Sequence, residues 1–467
     1  MLYLWSGNFL NKINRGGIDL SIATSNTIVE KEKKYIAKTQ KIPYYPVAFK
    51  SGKGAMLYDH EGNEYVDFLA SAGSANIGHG NKELAEAVKE QMDDLTQYTL
   101  AYFNSEPPIK LAEKLVEISP GDNNKKVLYS ATGSACIDAA IKLARGYTRR
   151  TKIISFFESY HGSTFGAMSI SALSTNMRRK MGPLLSDIYH FNYPTCGKCP
   201  YSKEEENCSL ECVKEIEFAF DHYLPSEEVA AIFIEPIAGD AGIIVPPQKW
   251  VKAIRDICDC NGIVLVSDEI QQGMGRTGKW FGIENFDIEA DLLVLGKSVG
   301  GGLPLGAVVG KSDILDSLDA PAHVFTLSGN TTVCVAALKA IEILERENAL
   351  KNSIEMGDYI KDGFERLREK YDIIGEIRGI GLSIGVDVVK GKGSKEKNPD
   401  ATTKICYRCI QTGLVMIFLG QSTLRVQPPL VITKEQIDIA MKIIDSAIDD
   451  YLNGRIGDEV YEVTQGW

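Results

Sequence analysis

Two neighbouring stretches decide the fold: G-I-V-L-V-S-D-E-I-Q-Q-G-M-G-R-T-G-K-W-F-G at 262–282 and D-L-L-V-L-G-K-S-V-G-G-G-L-P-L-G at 291–306. Each carries a short Val/Leu/Ile run that is apolar at successive positions, too short for a helix, and stops on a charged residue. Strands of that kind are covered on both faces, as in a parallel sheet flanked by helices. Ligands of such sheets lie beyond the carboxyl ends of the strands, so Asp268, Glu269 and Lys297 mark the edge where chemistry is expected.

The same pattern extends outward. K-V-L-Y-S at 126–130, K-I-I-S-F-F at 152–157 and A-A-I-F-I-E-P at 230–236 alternate with amphipathic stretches such as A-C-I-D-A-A-I-K-L-A-R-G-Y and K-W-V-K-A-I-R-D-I-C-D-C. This predicts an α/β fold with a mainly parallel sheet, and adds Ser130 to Ser134 and Glu235 to the strand ends. Near the start, M-L-Y-D-H-E-G-N-E-Y-V-D-F-L at 56–69 predicts a hairpin about Glu61-Gly62-Asn63. After Gly329 come long helices, the Gly-rich run 373–389 and L-R-V-Q-P-P-L-V-I-T, a smaller α+β unit. The expected division is an arm at 1–35, a small domain from 36–65 with 330–467, and a large domain at 66–329 carrying a cysteine-bearing insertion at about 193–213.

Composition excludes other classes. Among 467 residues, 51 Lys and Arg face 62 Asp and Glu, a net charge of −11 that repels a polyanion, so no nucleic-acid partner is expected. Hydrophobic residues at 44% and charged residues at 24% suit a globular core. There is no basic n-region before an apolar run and no stretch of 18 apolar residues, which leads to the expectation of a cytoplasmic enzyme with no membrane partner.

Lys297 at the mouth of a buried sheet favours a neutral, nucleophilic amine, while a surface lysine at a strand end is the alternative. A P-loop needs Gly where this chain has Asp291. A dinucleotide fold needs G-x-G-x-x-G after its first strand, whereas Gly300 to Gly302 follow Lys297. Asp268, closing an apolar strand, needs a cationic or hydrogen-bonding partner, and a pyridinium nitrogen is one. Thr132-Gly133-Ser134 before a helix can hold a phosphate on backbone donors and the helix dipole. A lysine, an acid and a phosphate cradle are what pyridoxal phosphate asks of a protein.

With that combination the chain resembles the class III aminotransferases, fold type I pyridoxal phosphate enzymes, from about residue 45 to 450. The resemblance implies a large pyridoxal phosphate-binding domain plus a smaller α+β domain, and an amino-acid substrate. It implies Lys297 as the Schiff-base lysine and the base toward the Cα or amine-carbon proton, and Asp268 as partner of the ring nitrogen. Gln271 would lie near the ring hydroxyl, Gly133 and Ser134 at the phosphate, and Tyr160 of Y-H-G-S-T on the ring. Thr326 would reach the cofactor of a neighbouring subunit, implying a homodimer or a dimer of dimers, and Arg425 would pair with a substrate carboxylate.

Three departures stand out. The usual S-G-S-E-A-N reads Thr132-Gly133-Ser134-Ala135-Cys136-Ile137, and Ser163 occupies a place where members using 2-oxoglutarate often carry arginine. Asp240, in E-P-I-A-G-D-A-G, stands where a switching glutamate or alanine is usual, short enough to leave its pairing with Arg425 open. Tyr102-Phe103, D-A-P-A-H at 319–323, R-V-Q-P-P-L-V-I and the terminal Gly466-Trp467 resemble the isoleucine 2-epimerase and broad-specificity amino-acid racemase branch. Transamination of an amino acid or ω-amino acid is the first reading and racemisation or epimerisation its alternative, with Tyr160 or a water as the second acid.

Cys196-x-x-Cys199 and Cys208-x-x-x-Cys212 have the spacing of soft metal ligands, so a structural zinc or iron–sulfur site stands beside four free thiols as the reading of this insertion.

Overall fold

The computed structural model describes residues 22–203 and 207–466, so the part of the arm at 1–21 lies outside the described residues. The apolar runs assemble into one seven-stranded sheet in the order Lys125–Ser130, Gly306–Lys311, Leu292–Leu295, Val264–Asp268, Val229–Ile234, Lys152–Phe156, Ile188–Phe191. The last five strands pair in parallel, and Gly306–Lys311 runs antiparallel to both its neighbours. Side chains alternate between two cores. Phe233, Val264, Val266 and Val294 pack on one face against Ile137, Ala140 and Ala144 of the helix Gly133–Thr148. Ile232, Ile234, Leu265 and Leu293 pack on the other with Trp250, Ile254 and Cys258 of Gln248–Asn261. Each such side chain contributes about 1.5–3 kcal/mol of transfer free energy, which explains runs with no polar position until the strand ends.

Two four-stranded sheets complete the architecture. One joins Phe49–Lys53, Met56–Asp59 and Glu64–Asp67 to Leu414–Val415, the last pair in parallel. The hairpin turns at Gly62, φ +81°, and the Asp59 carboxylate accepts from the Glu61 and Asn63 amides at 3.0 and 2.8 Å. The other is antiparallel, ordered Ile374–Ile380, Ser383–Val388, Thr423–Val426, Ile417–Leu419. The described part of the arm forms a helix, Ala23–Tyr35, that buries only Ser25; with no apolar stripe it carries no periodicity to read. Among the described residues no helix is long and apolar enough to cross a membrane.

Candidate active site

The strand Leu292–Leu295 ends two residues before Lys297. Gly296 stays extended, and Lys297 turns the chain at φ +47°, a left-handed conformation that costs a lysine energy and recurs at functional sites. Gly296 is packed so closely on the start of the helix Gly133–Thr148 that a Cβ there would stand 3.1 Å from the Gly133 Cα. A Cβ on Gly133 would in turn lie 2.7 Å from the Ile270 side chain. These absent methyls bring lysine, helix N-terminus and the strand end of Asp268 into one place. Burial pushes the Lys297 amine below its ordinary range against the opposing carboxylates of Asp240 and Asp268.

Asp268 is buried at the end of its strand. One oxygen meets His161 Nδ1 at 2.7 Å, and the other accepts from the Ile270 amide at 3.1 Å. The far nitrogen of the imidazole faces Ser155 Oγ at 3.4 Å. Beside them the Glu235 carboxylate accepts from the Tyr160 and Gly239 amides at 2.9 and 2.8 Å, and burial raises it to about 7. Tyr160 reaches Ser163, hydroxyl to hydroxyl, at 3.3 Å, and the Ser163 amide donates to Ser134 Oγ at 3.2 Å. The Thr132 hydroxyl caps the helix by accepting from Ala135 at 3.2 Å, leaving its first amides as an anion cradle. A buried lysine, a carboxylate at a strand end and a helix start facing one space match the donor set of a pyridine aldehyde bearing a phosphate.

The second half of the site comes from farther apart in the chain. The Arg425 guanidinium, on the strand Thr423–Val426, donates through Nη1 to Asp240 at 3.0 Å and through Nε to Gln427 at 2.7 Å. With its amide oxygen turned toward the cations, Gln271 accepts from Lys297 Nζ at 3.0 Å and from Arg425 Nη2 at 3.2 Å. Asp240 does pair with Arg425, despite its short side chain. Arg276, also buried, is spent on the carbonyls of Leu382 and Pro428 and on Asn76.

Lys297, Asp268, Gly133, Ser134, Tyr160, Gln271, Asp240 and Arg425 therefore converge, whereas Thr326 does not. It lies exposed, its carbonyl accepting from Gln97 at 3.1 Å, between exposed Phe325 and Leu327. His161, Glu235 as an anchor of the Gly239 amide, and Gln427 were not singled out from the sequence as site residues. His161 sits inside Y-H-G-S-T and Gln427 inside R-V-Q, so adjacency to named residues was the available signal.

The zinc or iron–sulfur reading of the insertion finds no support, and the four cysteines are free thiols. Cys196, Cys199, Cys208 and Cys212 line one cavity of about 20 Å³. Yet among the described residues no three His, Cys, Asp or Glu side chains are arranged to hold a metal ion. Cys208 Sγ is engaged with Glu211 and the Leu210 amide, both at 3.3 Å, and burial pushes the Cys212 thiol up to about 12.

The model of the aminotransferase class-III family matches residues 36–448. A leucine/methionine racemase of Thermococcus litoralis is 42% identical over 440 residues, 94% of this chain and 99% of that protein. An isoleucine 2-epimerase of Lentilactobacillus buchneri is 40% identical over 433 residues, covering 92% and 96%. The crystal structure of a Bacillus anthracis aminotransferase superposes with a TM-score of 0.84 at 30% identity, over 92% of this chain and 99% of its own.

Proposed function

Because the chain belongs to the class III aminotransferase family, we propose that it holds pyridoxal phosphate on Lys297 and racemises or epimerises an uncharged aliphatic amino acid at Cα. Pyridoxal phosphate is the cofactor expected of this family, and when bound it supplies the electron sink that makes a Cα proton removable. Asp268, fixed by His161, is the residue to keep a proton on the pyridine nitrogen. Ser134 and the helix start take the phosphate, and Tyr160 walls the ring. The buried Lys297 amine, poorer in protons than a surface lysine, takes the Cα proton from one side.

Inversion needs a second proton-handling group. Asp268 is committed to His161 and the Ile270 amide, and Glu235 to two backbone amides. Asp240 is instead paired with an exchangeable cation, Arg425. A substrate carboxylate arriving on Arg425 competes with Asp240 for the guanidinium; the released carboxylate takes up one proton from solvent and delivers it to Cα, Lys297 keeps the proton it removed from the other side, and both groups return to their starting states by exchanging those protons with solvent. This replaces Tyr160 as the preferred acid, since its hydroxyl faces Ser163.

The observation carrying this reading over transamination is that, among the described residues, Arg425 is the site cation beside Lys297 that an anion can claim. Ser163 offers no charge, Arg276 is tied to carbonyls, and a transaminase must also seat a 2-oxo acid. The identities of about 40% to a racemase and an epimerase, against 30% to an aminotransferase structure, support the same order. Transamination, the first reading from the sequence, remains the second reading, favoured by the family match. The deciding test is Cα hydrogen exchange in deuterated water with leucine, methionine, isoleucine and alanine, no 2-oxo acid being added. We expect the opposite Cα configuration to accumulate at turnover rates; strict dependence on a 2-oxo acid with retained chirality overturns the reading.

We further propose a homodimer. Thr326, its carbonyl held by Gln97, sits beside Leu327 at 59% exposure, and Tyr102 and Phe103 a few residues beyond Gln97 are 76% and 64% exposed, large apolar side chains that a second copy would cover. A fully active monomer in sedimentation would exclude it.

A further inference from the structure

Asp240 sits on the tip of a short turn between the bridge pair Ala238 and Ile244. The turn is anchored twice. At its start the Gly239 amide donates to Glu235 of the large-sheet half at 2.8 Å. At its end the Gly242 carbonyl accepts from two nitrogens of Arg378, Nη2 at 2.7 Å and Nε at 3.1 Å. Arg378 stands on the strand Ile374–Ile380 of the smaller half, 11% exposed, and its Nη2 also donates to Asp387 at 2.9 Å. Asp387 is itself fixed by Thr423 Oγ1 at 2.7 Å, on the strand that carries Arg425. Contact is tight enough that a Cβ on Gly385 would stand 2.6 Å from the Gly242 carbonyl oxygen, and Gly242 holds φ +118°, open to glycine.

We propose that Arg378 is a positioning residue for Asp240: by gripping the Gly242 carbonyl it holds the turn so that the carboxylate meets Arg425. A forked guanidinium on one carbonyl fixes direction as well as distance, which a lysine cannot reproduce. The same contact ties the turn to the smaller half, so where Asp240 lies depends on how the two halves meet. Lys198 of the cysteine-bearing insertion reaches Asp387 at 3.6 Å, placing the insertion against the back of this latch. The inference rests on Asp240 being the second proton-handling group, and displacement of such a group by about 1 Å costs up to roughly 100-fold in rate.

The test compares Arg378→Met, Arg378→Lys, Asp240→Asn and the Arg378→Met/Asp240→Asn double variant in the full-length holoenzyme. We expect Arg378→Met, assayed at a temperature where it stays folded, to lower kcat about 10- to 100-fold with KM changed little, Arg378→Lys to recover part of the loss, and the double variant to be no worse than Asp240→Asn. On the apo-protein, amide exchange should quicken at Gly242 and Ile243, whose amides donate to the Gly239 carbonyl at 3.1 and 3.0 Å. If Arg378→Met does not fold, the kcat and amide exchange of Arg378→Lys decide. Unchanged amide exchange, or losses that multiply in the double variant, overturn the positioning role. A wild-type enzyme that exchanges no Cα hydrogen without a 2-oxo acid overturns the functional reading instead, and amide exchange in the turn then still decides the latch.

Discussion

Asp268 and Asp240 are two nearly buried aspartates, 4% and 6% exposed, in one site, and they are mounted in opposite ways. Asp268 ends a strand in the middle of the large sheet and shares its charge with an imidazole and the backbone amide two residues farther on. Asp240 rides a turn between two halves of the molecule and is balanced by a mobile type of partner, a guanidinium that a carboxylate ligand can claim. The first mounting suits a charge that must never move. The second suits one that must be exchanged in each cycle.

Experiments can break that contrast, beginning with the largest effect. Lys297→Ala should lose at least about 1000-fold in Cα hydrogen exchange, within the range for losing a general base; retention of full activity would discard the mechanism, and borohydride reduction should fix the pyridoxyl group on Lys297. Asp268→Asn should cost about 100- to 1000-fold in kcat while keeping fold and cofactor absorption, since an amide cannot hold a proton on the ring nitrogen. Asp240→Asn should cost about 10- to 100-fold and spare exchange on the Lys297 side of Cα, so that exchange outlives inversion. Equal losses of exchange and inversion would remove the proposed difference between the two aspartates.

Two smaller effects follow from charge. Burial lowers the Lys297 amine, so uptake of pyridoxal phosphate by the apo-protein should quicken as pH rises through the folded value and level off below the ordinary lysine range. A stopped-flow pH series that keeps rising to pH 10.5 and beyond would contradict it. Burial raises Glu235 from the ordinary glutamate value of 4.5 to about 7. Its native state therefore binds the extra proton, and its share of stability is complete below 4.5 and fades as pH rises through about 7. The stability gap between wild type and Glu235→Gln should accordingly narrow from pH 5 to pH 8 in denaturant titrations.

What could be read in the sequence follows the same divide. Asp268 and Lys297 terminate runs whose burial on both faces is written in consecutive apolar residues, so position along the chain already places them at the sheet edge. His161 was hidden because its meeting with Asp268 depends on the order of strands, which periodicity does not encode. The pairing of Asp240 with Arg425 was hidden for a stronger reason: the two are 185 residues apart, and side-chain length alone argued neither way. The helix Ala23–Tyr35 offered no buried stripe to detect. In the insertion, cysteine spacing suggested a ligand set, whereas the fold gathers the four thiols round one small cavity with no metal-holding arrangement among the described residues.

The parallel pairing of Glu64–Asp67 with Leu414–Val415 has a consequence for biosynthesis. The hairpin leaves the ribosome long before Leu414–Val415, the strand that closes its sheet, has been made. Until then an unpaired strand edge is exposed, a template for intermolecular association, and closing so distant a contact is slow. Yield in a fast-translating host should thus depend on chaperone supply and growth temperature more than on the thermodynamic stability of the finished enzyme.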